Sequence, residues 1–439
     1  MSESVQKRKP WAFHVMAKPI GPICNLQCAH CFYLEKAKLY PQDRAWAMPP
    51  EVLERYVREY IAAQQAPEVV FAWQGGEPTL LGVDFFRRAL ALQERYADGK
   101  VIHNALQTNG VLLNDEWAAF LAEHRFLVGV SLDGPKALHD RYRRDKSGRG
   151  SFDRVMAGIE CLKRHQVEFN TLTCVQRENA KRPLEVYRFL RESGVEFMQF
   201  IPIVERINNA REDGLQLVGP DAPEAEIAPW SVDGPAFGDF MIAIFDEWVR
   251  RDVGTIFVQI FDVALEAWVG RNPSLCVFSA TCGQAMALEH NGDLYACDHY
   301  VYPEYRLGNI METPLQEMVS SPAQRRFGEL KRDALPKFCR ECPVRFACNG
   351  GCPKHRFCAT SEGETGWNYL CAGYQRFFQH IDPYMRAMAR ELRAGRPPAN
   401  VMGMIRAEEH PEKPKAPRAN DPCPCGSGRK FKKCCGRVA

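Results

Sequence analysis

Residues 17–36 read AKPIGPICNLQCAHCFYLEK. Within them Cys24, Cys28 and Cys31 form a C-x3-C-x2-C run that follows a β-prone segment, Phe13–Lys18. Three thiolates cannot complete the four-cysteine shell of an ordinary iron–sulfur cubane. One iron stays open, and an open iron can chelate the amino and carboxylate groups of a small molecule. A three-ligand zinc site is the alternative for the same residues.

Outward from this run, the first two hundred residues alternate. Further β-branched or aromatic runs lie at Val69–Trp73, Val101–Gln107, Phe126–Leu132, Phe169–Val175 and Phe197–Ile203. Helical patterns separate them at about 49–64, 83–97, 114–124, 151–165 and 181–193. Six strands with intervening helices imply an α/β fold with a parallel sheet. Turn chemistry agrees: Asn109-Gly110 follows the third run, Asp133-Gly134-Pro135 the fourth, and Gly194 ends a helix. Parallel strands carry their chemistry at their carboxyl ends, so functional side chains are expected just after each run. Asn109 itself reads as a turn residue.

Composition sets the outer limits. The chain has 439 residues, 46% hydrophobic and 25% charged, as in an ordinary globular protein. A net charge of +3 gives no ground for nucleic acid or membrane as the main partner. The polar start MSESVQKRKPW lacks the apolar run of a signal peptide, and no stretch reaches the length of a membrane span. A cytoplasmic enzyme is the expectation. Eighteen cysteines in a reducing compartment argue for metal or cluster ligation over disulfides. Cys161, on a helix, and Cys174, in a strand, read as core residues; Cys358 has no assigned place.

The chain divides at 1–205 (the α/β unit), 206–275 (a less regular bridge), 276–394 (a cysteine-dense unit and a following helix at about 374–394), 395–421 (a linker with five prolines) and 422–439 (a small terminal cysteine unit). The segment from Cys276 to Cys371 shows little periodic core and so calls for metal staples.

The triad resembles the signature of the radical S-adenosylmethionine (SAM) superfamily, and residues 17–36 resemble the anaerobic sulfatase-maturating enzymes, although His30 stands where an aromatic residue is usual. The resemblance implies a partial (β/α)6 TIM-like barrel, with SAM bound at a 4Fe-4S cluster on Cys24, Cys28 and Cys31. By the same resemblance Gly75, Gly76 and Glu77, in Gln74-Gly75-Gly76-Glu77-Pro78, contact the methionyl amine. Ser131 and Arg143 match positions holding the ribose and carboxylate; a strand-end serine and a surface arginine are the plain alternatives. Tyr33 and Gln74 match substrate-site positions.

Eight further cysteines are spaced as in the SPASM domain. That resemblance gives two auxiliary 4Fe-4S clusters, one on Cys276, Cys282, Cys297 and Cys352, the other on Cys339, Cys342, Cys348 and Cys371. Zinc is the alternative metal. Asp298 matches the family's general base. Cys423, Cys425, Cys434 and Cys435 resemble the SEC-C zinc motif, whose neighbours Arg429, Lys430, Lys432, Lys433 and Arg437 suit an acidic partner. The implied reaction is oxidation of a Cys or Ser in a sulfatase Cys/Ser-x-Pro-x-Arg segment to Cα-formylglycine. Its implied partners are nascent or unfolded sulfatase, an electron donor such as flavodoxin or ferredoxin, and export machinery at the C-terminal motif. The competing expectations are a SPASM enzyme that crosslinks a ribosomal peptide and a non-catalytic iron–sulfur or zinc adaptor.

Overall fold

A computed structural model describes residues 12–40, 46–208, 216–217, 225–410 and 417–437. The readings made on residues 1–11, on part of the bridge and on 411–416 of the linker lie outside this set.

All six expected strands form: β1 (His14–Lys18), β2 (Glu68–Trp73), β3 (Val101–Thr108), β4 (Leu127–Ser131), β5 (Phe169–Val175) and β6 (Phe197–Pro202). Helices α1 (Pro50–Ala63), α2 (Val83–Tyr96), α3 (Asp115–Glu123), α5 (Phe152–Arg164) and α6 (Pro183–Glu192) join them. A short helix that the sequence pattern did not reveal, α4 (Lys136–Tyr142), precedes α5. Its seven residues span too few turns for a periodic signal. Local chemistry explains the regular helices. Pro50 opens α1, whose Val52, Leu53, Tyr56, Val57, Tyr60 and Ile61 form one buried stripe. Asn114 caps α3 by accepting from the Trp117 amide at 3.0 Å. Tyr56, Phe71, Trp73 and Phe86 then meet edge to face between helices and sheet.

The sheet is larger than expected. After the small three-stranded group β7 (Arg206–Asn208), β8 (Gln216–Leu217) and β9 (Glu226–Ile227), the chain forms α7 (Gly234–Arg251), β10 (Phe257–Val258) and α8 (Gln259–Trp268). Strand β10 pairs parallel with β6. At the other edge β11 (Ala285–Glu289) pairs parallel with β1, followed by antiparallel β12 (Asp293–Tyr295) and β13 (Arg306–Asn309). The order is β10-β6-β5-β4-β3-β2-β1-β11-β12-β13, open at both ends, as in a partial barrel.

Two expectations change. Within the stretch read as a bridge, residues 234–268 are regular: α7 buries Phe237, Phe240, Met241, Ile244, Phe245 and Trp248 in the main core. The cysteine-dense segment does not stand alone either. It joins the main sheet through β11, and its Phe278, Met286, Leu294 and Ile310 pack into the main core.

Short helices α9 (Leu315–Val319), α10 (Pro322–Asp333), α11 (Lys337–Arg340) and α12 (Arg345–Cys348) and the hairpin β14 (Cys358–Ala359) and β15 (Thr365–Trp367) carry the remaining cysteines to α13 (Cys371–Arg393). The stretch read as linker contains α14 (Asn400–Glu409), where Val401 and Ile405, one helical turn apart, are buried. No helix among the described residues is long and apolar enough to cross a membrane.

Candidate active site

The triad lies in the loop after β1, and two neighbouring loops shape it. The Gly76 amide donates to the Gly21 carbonyl at 2.7 Å and the Glu77 amide to Ile23 at 2.8 Å. A Cβ on Gly76 would lie 1.9 Å from the Ile23 carbonyl oxygen, so this position takes no side chain. The loop after β2 is thereby fastened to the residue before Cys24. The fully buried Glu77 carboxylate accepts from the Thr79 amide (3.0 Å) and hydroxyl (2.6 Å), the Thr108 hydroxyl (2.7 Å) and the Asn109 amide (2.7 Å). It therefore acts as a strut between the ends of β2 and β3.

Asn109 does more than turn the chain. Its Nδ2 lies 3.6 Å from Cys24 Sγ and donates to Asn25 at 2.7 Å. Burial pushes the Cys24 thiol up to about 11 and the Cys28 thiol further, so a bound iron, rather than the protein, would have to hold them as thiolates.

Ser131 closes β4, and its hydroxyl makes no hydrogen bond among the described residues. Arg143 is neither exposed nor free. Its guanidinium forms a two-pronged pair with the fully buried Asp133 (Nε–Oδ2 2.7 Å, NH2–Oδ1 3.0 Å) and donates to Cys174 Sγ at 3.2 Å. Cys174 is thus a partner of Arg143 as well as a strand residue. Asp133 escaped the sequence reading because it sits in a turn-forming Asp-Gly-Pro. His30 fills its pocket beside Asp133, 4.0 Å away, and burial keeps its imidazole neutral.

A second group surrounds Lys18, the last residue of β1. Its buried ammonium pairs with Asp298 at 2.5 Å, donates to Gln74 Oε1 at 3.0 Å and lies 4.5 Å above the Tyr33 ring. Lys18 and Glu289 are register partners on β1 and β11, and the Tyr33 hydroxyl donates to Glu289. Burial would raise the Asp298 carboxyl, but Lys18, His299 and Lys354 together hold it below the usual carboxylate range. Lys18 and Glu289 were not singled out in the sequence, although an ionisable residue ending a buried parallel strand is itself a signal.

All eighteen cysteines are free. Cys339, Cys342, Cys348 and Cys371 line one small pocket. Cys276, Cys282, Cys297 and Cys352 form a separate group whose thiols influence one another electrostatically. The eight thus fall into two quartets. Cys423, Cys425, Cys434 and Cys435 place their sulfurs within 4.8 Å of one another, close enough for a single ion. Among the described residues no other His, Cys, Asp or Glu group is so tight. Cys161 is partly buried against the core, and Cys358 lies in β14 opposite Trp367.

Residues 19–190 match the Radical SAM superfamily, 278–343 the SPASM iron-sulfur cluster-binding domain and 420–437 the SEC-C motif. The serine-type anaerobic sulfatase-maturating enzyme of Bacteroides thetaiotaomicron is 48% identical over 90% of this chain and 95% of its own. The chain belongs to the anaerobic sulfatase-maturating enzymes. A cysteine-type anaerobic sulfatase-maturating enzyme of Clostridium novyi is 33% identical over 86% of this chain and 97% of its own. Among solved structures, native anSMEcpe with bound AdoMet superposes with a TM-score of 0.76 at 31% identity, covering 86% of this chain and 99% of that one. Membership in this radical SAM, SPASM-containing family implies SAM and iron–sulfur clusters as cofactors. The thiol groups fit that implication in number and grouping.

Proposed function

We infer that this sulfatase-maturating enzyme oxidises a serine, in preference to a cysteine, to Cα-formylglycine in the Cys/Ser-x-Pro-x-Arg segment of a nascent or unfolded sulfatase. The preference follows the higher identity to serine-type relatives, 48% and 40%, than to the cysteine-type relative at 33%. One observation carries the site reading: a continuous line of contacts joins the two ends of the chemistry. It runs from Cys297 and Asp298 to Lys18, to Gln74, through Gly75 and Gly76 to Glu77, whose amide donates to Ile23 beside Cys24.

Cys24, Cys28 and Cys31 would hold a 4Fe-4S cluster and leave one iron for SAM, beside the free Ser131 hydroxyl, Gly75, Gly76 and the Arg143–Asp133 pair. The two quartets would hold two closed auxiliary clusters. Bound there, SAM and the clusters supply a radical that takes one hydrogen atom from the substrate β-carbon and a path for the second electron. Asp298 receives the hydroxyl proton. Lys18 keeps its carboxylate ionised and aimed, while Tyr33, fixed by Glu289, and Gln74 form the adjoining wall. The serine loses one hydrogen atom, one proton and one electron, which together leave the aldehyde.

A small reductant such as flavodoxin or ferredoxin would supply the first electron. The four terminal cysteines suit one structural zinc, and the exposed Arg429, Lys430, Lys432, Lys433 and Arg437 around them suit an acidic partner such as export machinery. Fifteen ligand thiols require the reducing cytoplasm.

The test is anaerobic incubation with SAM and matched Ser- and Cys-containing sulfatase peptides, read by mass. The expected product is a loss of about 2 Da from the serine peptide, faster than a loss of about 18 Da from the cysteine peptide, as the oxidation chemistry requires. No mass change in either peptide alongside SAM cleavage would reject the assignment.

A further inference from the structure

The two quartets are joined by one short piece of chain, Cys348-Asn349-Gly350-Gly351-Cys352, with Cys348 in one group and Cys352 in the other. Its three inner residues all have positive φ: 46° at Asn349, 74° at Gly350 and 64° at Gly351. Glycine adopts positive φ freely, so the backbone strain falls on Asn349 and the shape of the run is set by its contacts. Neither glycine accepts a side chain, since a Cβ would meet Leu335 at 2.5 Å or Asn368 at 2.6 Å.

The support comes from Arg356. Its Nε donates to the Gly350 carbonyl at 3.0 Å, NH2 to Asn349 at 2.8 Å and Gly351 at 3.2 Å, and NH1 to Lys331 at 2.6 Å. One guanidinium thus gathers every carbonyl of the left-handed link and ties it to α10. The side chain makes no ion pair among the described residues. Its electrostatic neighbours are Cys339 and Cys348 from one quartet and Cys352 and Cys282 from the other. Lys331 is the contrasting case. Its ammonium donates to the Cys276 and Val277 carbonyls at 2.5 and 2.9 Å, and the cysteines beside it, Cys282, Cys352 and Cys276, all belong to one quartet, with Arg356 its other charged neighbour.

We propose that Arg356 is a positioning residue common to both auxiliary cluster sites, holding the Cys348–Cys352 link in shape and setting one fixed positive charge between the clusters. This rests on the reading of the two quartets as cluster sites. A guanidinium stays charged at any working pH. A fixed positive charge stabilises the more negative, reduced form of a nearby cluster and raises its reduction potential. Shared between two clusters, it raises both together and leaves the difference between them, which governs electron passage, nearly unchanged.

The experiment is an anaerobic redox titration followed by electron paramagnetic resonance on the reconstituted full chain, with iron counted per chain. Arg356→Gln is expected to lower both auxiliary potentials and leave that of the Cys24, Cys28 and Cys31 cluster in place. Arg356→Lys, which keeps the charge, is expected to stay near wild type. Lys331→Gln is expected to lower only one auxiliary potential. Unchanged potentials in Arg356→Gln at full iron content, a shift in one cluster only, or an equal fall in Arg356→Lys would overturn the proposal. Should Arg356→Gln lose iron, both auxiliary signals are expected to go together, and loss of one alone refutes the shared role. A wild-type chain that holds about four irons instead of about 12 would reject the underlying cluster reading, separately from Arg356.

Discussion

Replacing Lys18 with Met removes the ammonium that pairs with Asp298, hydrogen-bonds Gln74 and covers the Tyr33 ring, while keeping most of the side-chain volume. At 2.5 Å and an effective dielectric of about 20, the gross attraction in the pair is roughly 7 kcal/mol. Desolvation opposes it, and removing one member of a buried pair costs about 3–5 kcal/mol net. The Asp298 side chain keeps 21% of its surface exposed, so the low end, about 3 kcal/mol, applies. Lost from the ionised carboxylate in its working position, that energy corresponds to roughly a hundredfold lower rate of formylglycine formation at neutral pH. The sign with pH follows from the causes. In the wild type Lys18 opposes the upward push of burial, and the carboxyl is ionised throughout the neutral range. Without Lys18 that push dominates, so the acid limb of the rate profile moves to higher pH and activity partly returns in alkaline buffer. The assay follows formylglycine and 5′-deoxyadenosine together from pH 6 to 9. SAM cleavage is expected to survive better than product formation. A Lys18→Met enzyme with the wild-type rate and pH profile would refute the role given to this pair.

Gly76→Ala should drive a methyl into the Ile23 carbonyl, and that carbonyl cannot retreat without displacing Cys24; the expected result is loss of about four irons per chain with the auxiliary clusters retained, read by iron analysis. Asp133→Asn leaves Arg143 without its buried counter-charge and should cost about 3–5 kcal/mol in denaturant titrations near neutral pH. Arg143 holds the Asp133 carboxyl below its ordinary value against the effect of burial, so this contribution is full above about pH 4 and fades as pH falls through the lowered value. Parallel acid losses in wild type and variant would contradict it. Cys425→Ser should remove zinc without changing iron, because its sulfur sits 3.4 Å from those of Cys423 and Cys434 and apart from the other groups. Deleting residues 421–439 should spare activity on a short peptide but lower sulfatase maturation in cells, and equal maturation would dismiss a recruiting role.

The sequence by itself determined the six parallel strands and the cysteine triad after the first of them. Each is a local property: hydrophobic period, turn residues or ligand spacing within a few positions. The division of the other twelve cysteines into groups came from resemblance to the SPASM and SEC-C families, since one quartet runs from Cys276 to Cys352. Tertiary structure decided what depends on distant segments meeting. Strand β11 pairs with β1 from a distant part of the chain, and that pairing sets Glu289 next to Lys18 and delivers Asp298 to the same ammonium. The pairing of Arg143 with Asp133 was not legible, because Asp133 belongs to a turn ten positions earlier. The helices α7 and α14, in stretches read as bridge and linker, are held by burial against the main core, and a short apolar stripe does not announce its partner. The cysteine triad was legible because its three members span eight residues; the contacts that link it to Asp298 were not, because they join positions 18, 74 and 298.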